Sequence, residues 1–170
     1  VVLTHAHVDH CGYVPRLHRY GYRGPVYATR GTCDLAAIVL PDSGHLHEEE
    51  AEYANRKGYS KHHPAEPLYT ELEARDSLEL FEAVDFDDAF RVAPGVDVTW
   101  SPAGHILGAA CLHIEALDRR LVFSGDLGRS SHPLLRPPGP IGPADVGVIE
   151  STYGVTEHSD SVAETELARV

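Results

Sequence analysis

Short apolar segments separated by turn residues dominate the second half of the chain. Five of them are rich in β-branched or aromatic residues and are bounded by Gly, Pro or Asp, a pattern typical of strands. These strands are predicted over residues 90–93, 96–101, 110–116, 120–124 and 146–150. Asp118 and Arg119 predict a tight hairpin between the third and the fourth, and the proline-rich segment 133–143 predicts a surface loop.

The first half contains longer runs in which apolar and polar residues recur at helical spacing. Strands are predicted over 1–4 and 25–28, and helices over 13–20, 32–40, 43–57, 70–83 and, at the end of the chain, 156–170. Pro41 is predicted to break or kink the helical run between two of these helices because proline lacks a backbone N–H, and Gly58 is a suitable helix stop. Thr70 and Glu73 have the spacing of a capping box. Strands and helices in irregular order predict an α/β layered fold.

Composition narrows the class of protein. The 170 residues carry 14 Lys and Arg against 26 Asp and Glu, a net charge of −12, which argues against a broad basic surface for nucleic acid. No apolar run is long enough to predict a membrane span. Three Cys without a CxxC pair predict a reducing compartment and a cytoplasmic location. The chain has no Met and opens on a strand-like run at Val1, so we expect a piece of a longer protein.

The strongest chemical signal is the segment 4–10, Thr-His-Ala-His-Val-Asp-His, directly after the first predicted strand. Imidazole nitrogens and a carboxylate oxygen are ligands that suit zinc, manganese or iron. A bound cation relieves the repulsion between such crowded donors. A solvent-exposed His-rich turn is the alternative, but the interposed acid and the preceding strand favour a metal site. Its four candidate ligands are His5, His7, Asp9 and His10.

Two later segments add donors to this prediction. His105 lies between glycines after one predicted strand, and Asp126 follows another in the sequence Ser-Gly-Asp. Each alone is more typical of an ordinary turn. Together, three strand ends offer His and Asp side chains, and α/β folds assemble active sites at such edges. Six donors exceed the three or four protein ligands of a single zinc, which favours two metals.

These motifs resemble the second, third and fourth motifs of the metallo-β-lactamase superfamily. Segment 150–154, Glu-Ser-Thr-Tyr-Gly, resembles the start of the β-CASP region of RNA-processing nucleases, and segment 42–56 is similar to their helical insertion. That branch includes the endonuclease subunit of cleavage and polyadenylation specificity factor and its bacterial and archaeal relatives. The resemblance covers essentially the whole chain. Ile106 departs from glyoxalase-like members, which carry Thr at that position.

The resemblance implies a metallo-β-lactamase αββα sandwich that is incomplete here. Residues 1–154 would form a partial metallo-β-lactamase domain that lacks its N-terminal strands, and residues 155–170 would begin the β-CASP domain. It further implies that Asp126 bridges two Zn²⁺ ions, although another divalent metal would also suit these donors. One zinc would be held by His5, His7 and His105, and the other by Asp9 and His10.

The same resemblance implies a zinc-dependent nuclease that cleaves RNA phosphodiester bonds. Asp9 would orient the attacking water, and Glu150 would support a His further downstream that acts on the leaving group. One further zinc ligand and that His would both lie beyond Val170, so we expect this chain alone to be inactive or weakly active. The implied partners are RNA and a second copy of the protein, in a homodimer formed through regions outside the chain. No membrane partner is implied.

Two other functions fit part of the pattern. The metal motif alone is equally suited to a hydrolase of small-molecule thioesters or lactones, because fold does not determine function. Segment 150–154 argues against that class. The other alternative hypothesis is a non-catalytic scaffold, and the presence of all six candidate metal donors argues against it.

Overall fold

Helices and strands in mixed order make up residues 1–155, the part of the chain that this computed structural model describes. The α/β class predicted from the sequence is confirmed. The α-helices are α1 (Val8–Cys11), α2 (Val14–Arg19), α3 (Arg30–Lys57) and α4 (Glu71–Ser77), and a 3₁₀ turn covers Leu78–Leu80. The strands are β1 (Val26–Thr29), β2 (Phe81–Val84), β3 (Ala89–Ala93), β4 (Val96–Pro102), β5 (Ala110–Ala116), β6 (Arg119–Phe123) and β7 (Val146–Val148).

The strands form two sheets. β1 and β2 pair in parallel, with Val26 opposite Phe81, and a single parallel bridge joins Val2 to Tyr27 on the other side of β1. The larger sheet has the order β3-β4-β5-β6-β7, in which all neighbours are antiparallel except the β6–β7 pair. The five strands predicted for the second half are therefore confirmed.

One apolar cluster lies between the two sheets. Trp100 on β4 pairs with Leu112 on β5, and both side chains are buried in this cluster together with Val98. Trp100 is fully buried, and its indole Nε1–H donates to the carbonyl of Leu3 over 3.0 Å. Val2 and Tyr27 of the smaller sheet pack against the same cluster. The alternation of apolar residues along β4 and β5 thus points one face of the larger sheet at the smaller one.

A second cluster lies on the helical side of the smaller sheet. Val26 and Ala28 of β1 pack there with Ala36 and Leu40 of α3, and all four are fully buried. The described layers are therefore helices, small sheet and large sheet.

The predicted break at Pro41 is wrong, because α3 runs without interruption from Arg30 to Lys57. This stretch packs against the segment that precedes α4. Tyr69 donates its hydroxyl to Ser43 over 2.9 Å, and Glu48 accepts the Glu71 N–H over 2.8 Å. Tertiary packing thus overrides the low helix propensity of proline. The stop at Gly58 is confirmed, with a left-handed φ of 68°.

The helix predicted over 70–83 is shorter than expected. Its capping box is confirmed: Thr70 Oγ1 accepts the Glu73 N–H, and the Glu73 carboxylate accepts the Thr70 N–H. The helix ends at Ser77, and Phe81–Val84 instead form β2. Pairing with β1, which lies about fifty residues earlier in the chain, decides the conformation of this segment.

Smaller differences concern turns. The hairpin between β5 and β6 is confirmed, but its turn residues are Leu117 and Asp118, both with positive φ, while Arg119 already belongs to β6. Residues 1–4 make one bridge rather than a full strand, and the expected turn after them contains α1. Residues 133–143 lack regular structure, as predicted. The helix predicted over 156–170 lies outside the described residues. No helix among residues 1–155 has the length and hydropathy needed to cross a bilayer.

Candidate metal centre

The segment that follows Leu3 carries the first two imidazoles. Leu3 donates its N–H to the Tyr27 carbonyl, which ties this segment to β1. The His5 side chain is fully buried. His5 Nε2 lies 3.1 Å from His7 Nδ1. Thr4 Oγ1 lies 3.1 Å from His5 Nδ1, a contact that suits the tautomer in which Nδ1 carries the proton and Nε2 offers a lone pair.

His105 reaches the same point from the loop between β4 and β5. Its Nε2 lies 3.1 Å from His7 Nδ1, although 98 positions separate the two residues. Two backbone hydrogen bonds hold the ends of this loop. Ala110 donates its N–H to Thr4 over 2.8 Å, and the Ala103 carbonyl accepts the Gly128 N–H over 2.8 Å.

Asp126 arrives after β6 and completes the group. Its Oδ2 lies 3.7 Å from His5 Nε2 and 3.6 Å from His105 Nε2. One donor atom from each of the four residues falls within 4.8 Å of all the others, so the structure brings together His5, His7, His105 and Asp126. We call these four residues the metal cluster.

The spacing within the metal cluster fits a tetrahedral ion. A zinc with ligand bonds of about 2.0 Å separates neighbouring donor atoms by about 3.3 Å. Four of the six donor separations observed here are 3.1 to 3.7 Å, and the other two are no longer than 4.8 Å, a spacing that small side-chain shifts would bring to the tetrahedral value. Three imidazoles and one carboxylate also form a donor set of the kind that zinc binds. The cluster therefore has the composition and the geometry of a metal-binding site.

Of the other two predicted ligands, His10 approaches the opposite oxygen of Asp126, and Asp9 contacts His10. His10, on α1, places Nε2 3.3 Å from Oδ1 of Asp126 and 3.3 Å from Oδ2 of Asp9. The Asp9 side chain is largely exposed, at 77 %. All six predicted ligands are thus in one place, with Asp126 between two sets of donors.

Burial keeps the central imidazole neutral. The pKa of His5 falls to about 4, mainly because it is desolvated and secondarily because it lies near His10 and the other imidazoles. Since metals bind the neutral form of imidazole, His5 is ready to coordinate at neutral pH without first losing a proton.

Glu150 lies beside the metal cluster rather than in it. Its Oε1 accepts the Leu127 N–H over 2.6 Å, and its Oε2 accepts the Thr152 N–H over 3.3 Å. These bonds, with the Leu127 bond foremost, lower the pKa of the Glu150 carboxyl. Its own N–H donates to Ser124 Oγ over 3.0 Å. Glu150 therefore contacts the Asp126 loop on both sides of the aspartate, through the Leu127 N–H and the Ser124 hydroxyl.

A cleft of about 500 Å³ opens next to the metal cluster. His105 and Glu150 form part of its wall, so the cleft begins at the cluster itself. Arg129, His132 and Tyr153 also line the cleft. A substrate in this cleft would meet imidazole, guanidinium and phenol groups beside the metal ligands.

Other candidates lie elsewhere. Cys11 is buried, and burial raises the pKa of its thiol to about 11, which fits a small apolar residue rather than a ligand. His45 on α3 pairs with Glu49 at 3.5 Å on the surface. The His47 ring packs edge-on against Tyr69. His158 lies outside the described residues.

The residues that hydrogen-bond to the backbone of the loops carrying the candidate ligands were not predicted from the sequence. Ser124 and the hydroxyls of Thr29 and Thr32 make hydrogen bonds to the backbone of these loops. Thr29 Oγ1 also accepts the Thr32 N–H at the start of α3, a helix-capping signal that the sequence does show.

Comparison with known proteins adds sequence relatives over nearly the whole chain. The chain is 34 % identical to transcription termination factor FttA of Methanocaldococcus jannaschii, a match that covers 100 % of this chain and 26 % of that protein. It is 34 % identical to ribonuclease TTHA0252 of Thermus thermophilus, over 93 % of this chain and 32 % of that protein. The chain thus spans about a quarter to a third of the curated relatives it matches. No protein-family model matches it.

Solved structures give weaker matches. A metallo-β-lactamase with an HARLDQ motif from Cronobacter sakazakii superposes with a TM-score of 0.47 and 18 % identity, over 79 % of this chain and 43 % of that one. Zn²⁺-bound PqqB from Methylobacterium extorquens superposes with a TM-score of 0.44 and 20 % identity, over 72 % and 32 % of the two chains.

Proposed function

We propose that the chain, which is similar in sequence to a transcription termination factor and to a ribonuclease, belongs to the β-CASP branch of the metallo-β-lactamase superfamily and forms the metal-binding part of a nuclease that hydrolyses RNA phosphodiester bonds. One observation carries this proposal: four donor atoms from three separate segments converge within 4.8 Å beside an open cleft. Convergent donors at zinc spacing next to a substrate-sized cleft are typical of a metallo-hydrolase.

Two zinc ions would occupy this site, although another divalent metal would also suit the donors. His5, His7 and His105 would hold the first, His10 and Asp9 would hold the second, and Asp126 would contact both. The proposal is supported by the two faces of the Asp126 carboxylate, since Oδ2 approaches two imidazoles of the metal cluster and Oδ1 approaches His10. When bound, such ions supply a Lewis acid that acidifies water and offsets charge on a phosphate.

The chain's own residues then divide the remaining work. Asp9, whose carboxylate is exposed at the edge of the site, would orient the attacking water and accept its proton. Arg129 and His132 line the cleft and would bind phosphate oxygens. Glu150, which the resemblance implies as catalytic, is proposed to act through position, because both of its oxygens already accept backbone N–H groups.

The remaining predictions concern the whole protein. We propose that residues 1–154 belong to the metallo-β-lactamase domain and that residues 155–170 begin the β-CASP domain. Because the chain spans about a quarter to a third of its relatives, cleavage by these 170 residues alone is expected to be slow. A homodimer and a cytoplasmic location are further proposals. The free thiols of Cys11, Cys33 and Cys111 support a reducing compartment.

The test is to measure zinc content and RNA cleavage for the chain and for Asp126→Ala. The variant should bind less zinc than the wild type and should lose whatever cleavage the wild type has. Asp145→Ala is the matched control, because Asp145 is also an acid in a loop but pairs with Arg119. Unchanged zinc content in Asp126→Ala would contradict the site. Hydrolysis of a thioester with no cleavage of RNA would favour the small-molecule hydrolase.

A further inference from the structure

His105 differs from the other imidazoles of the metal cluster in where it comes from. His5 and His7 share one short segment, whereas His105 lies on a loop 98 positions after His7. One metal ion can bind all three imidazole nitrogens only if that loop stays at a fixed distance from the His5–His7 segment. Misplacement of a ligand by about 1 Å is enough to weaken such a site.

Two buried hydroxyl groups at the start of α3 donate hydrogen bonds to the backbone of this loop. Thr29 Oγ1 donates to the Gly108 carbonyl over 2.6 Å, and Thr32 Oγ1 donates to the same carbonyl over 3.0 Å. Both threonines are buried, at 2 % and 0 % exposure. The carbonyl oxygen of Gly108 thus accepts hydrogen bonds from two buried side chains. We call Thr29, Thr32 and the Gly108 carbonyl the threonine clamp.

The contact is close enough that only glycine fits the loop side. Gly108 has a φ of +80°, and a Cβ there would lie 2.2 Å from the Thr32 nitrogen. On the helix side, a Cβ on Gly31 would lie 2.9 Å from the Gly108 nitrogen. The backbone of the loop and the first turn of α3 therefore touch, and the hydroxyls orient this contact.

We propose that Thr29 and Thr32 are positioning residues for metal binding, which hold His105 at its place in the metal cluster through the Gly108 carbonyl. The inference rests on the proposed metal binding. The inference goes beyond the proposed function because it assigns a role in metal binding to two residues that are not ligands. Groups hydrogen-bonded directly to metal ligands typically contribute 10- to 100-fold to metal affinity. The threonine clamp acts through the loop backbone instead, so we expect a contribution at the lower end of that range.

Thr32→Val tests this directly, because valine keeps the shape and loses the hydroxyl. We expect zinc affinity, measured by competition with a chromophoric chelator, to fall about tenfold. Thr32→Ser, which keeps the hydroxyl, should retain most of the affinity. Thr70→Val is the matched control: it removes the hydroxyl that caps α4, away from the metal cluster, and should lower thermal stability without changing zinc affinity.

A second measurement needs no metal. In the metal-free chain, His7 and His105 have ring centroids 4.9 Å apart, so their ring protons should give a nuclear Overhauser effect. Thr32→Val should weaken this effect, and Thr70→Val should leave it unchanged. If Thr32→Val keeps both the ring contact and the zinc affinity of the wild type, the clamp is only structural and the inference is wrong. If the wild type binds no zinc, the proposed function fails, and the ring contact still decides whether the clamp positions His105.

Discussion

Nε2 of His10 lies 3.3 Å from Oδ1 of Asp126, the carboxylate oxygen other than the one that contacts His5 and His105. One carboxylate therefore joins the metal cluster to a second group of donors. This relationship supports two metal ions rather than one, and it leads to the first prediction.

His10→Ala should reduce bound zinc from about two ions to about one per chain, because it removes an imidazole from one set of donors and leaves the metal cluster intact. Elemental analysis of dialysed protein measures this. His18→Ala is the control, since the His18 side chain pairs with the exposed Glu79 at 3.4 Å, on α2 and away from the metal cluster. Retention of two ions by His10→Ala would contradict the second set of donors.

The metal-free chain should lose stability in acid because of His5. Its pKa is about 4 in the folded protein, below the ordinary value of 6.5. The unfolded chain therefore takes up this proton at a higher pH than the folded chain does. The free energy of unfolding should fall as the pH drops from about 6.5 to about 4, and His5 should cease to contribute further change below that range.

Denaturant titrations of metal-free protein across this range measure the effect. His5→Ala should show a shallower pH dependence between pH 6.5 and 4. An NMR titration of the His5 ring gives an independent reading, and a midpoint near 6.5 would contradict the effect of burial.

Glu150→Gln should destabilise the Asp126 loop. The carboxylate accepts the Leu127 and Thr152 N–H groups, and these charge-assisted bonds weaken when the charge is removed. Because the group lies near the surface, we expect a loss of about 1 kcal/mol in the free energy of unfolding. The lowered pKa means that this contribution is present above the ordinary carboxyl pKa and is lost as the pH falls below it.

Glu115→Gln is a suitable comparison for Glu150→Gln, because Glu115 forms an exposed ion pair with Arg120 at 3.1 Å. Thermal unfolding of both variants at pH 7 measures the difference. Equal melting temperatures for the two variants would show that Glu150 does not brace the loop.

Cys11 should resist alkylation in the folded chain. Its thiol is buried and its pKa is raised to about 11, so little thiolate forms at pH 8. Mass spectrometry after a short treatment with iodoacetamide should find Cys11 unmodified, and modified once denaturant is added. Cys11→Ala should keep the zinc affinity of the wild type. A large loss of affinity would instead make Cys11 a ligand.

The sequence was most informative where a pattern has a local cause. Alternation along β4 and β5 reflects which side chains face the smaller sheet, so the strands and their hairpin were predicted within one or two residues. The capping box at Thr70 was predicted for the same reason, because its partners lie within one helical turn. The close spacing of His5, His7 and His10 similarly predicted that these side chains lie close together, as the structure shows.

Features decided by distant contacts were not predictable. The end of α4 depends on the pairing of β2 with β1, and the continuity of α3 through Pro41 depends on its packing against Tyr69 and Glu71. The threonine clamp joins residues 76 and 79 positions apart through a backbone carbonyl, which has no signature in the sequence. Local propensity carries no information about such partners.

The backbone hydrogen bonds that tie the ligand segments together also have a thermodynamic consequence. Thr4 accepts the Ala110 N–H, and Ala103 accepts the Gly128 N–H, so no ligand segment can move away without opening the sheet edge it belongs to. The four donors of the metal cluster therefore meet only in the folded domain, whereas the unfolded chain retains only the local segment with His5, His7, Asp9 and His10, so an ion binds the folded chain more tightly. Free zinc at a hundred times its dissociation constant would raise the free energy of unfolding by about 2.7 kcal/mol. Zinc binding would thus shift the folding equilibrium, and the melting temperature should rise as the zinc concentration increases.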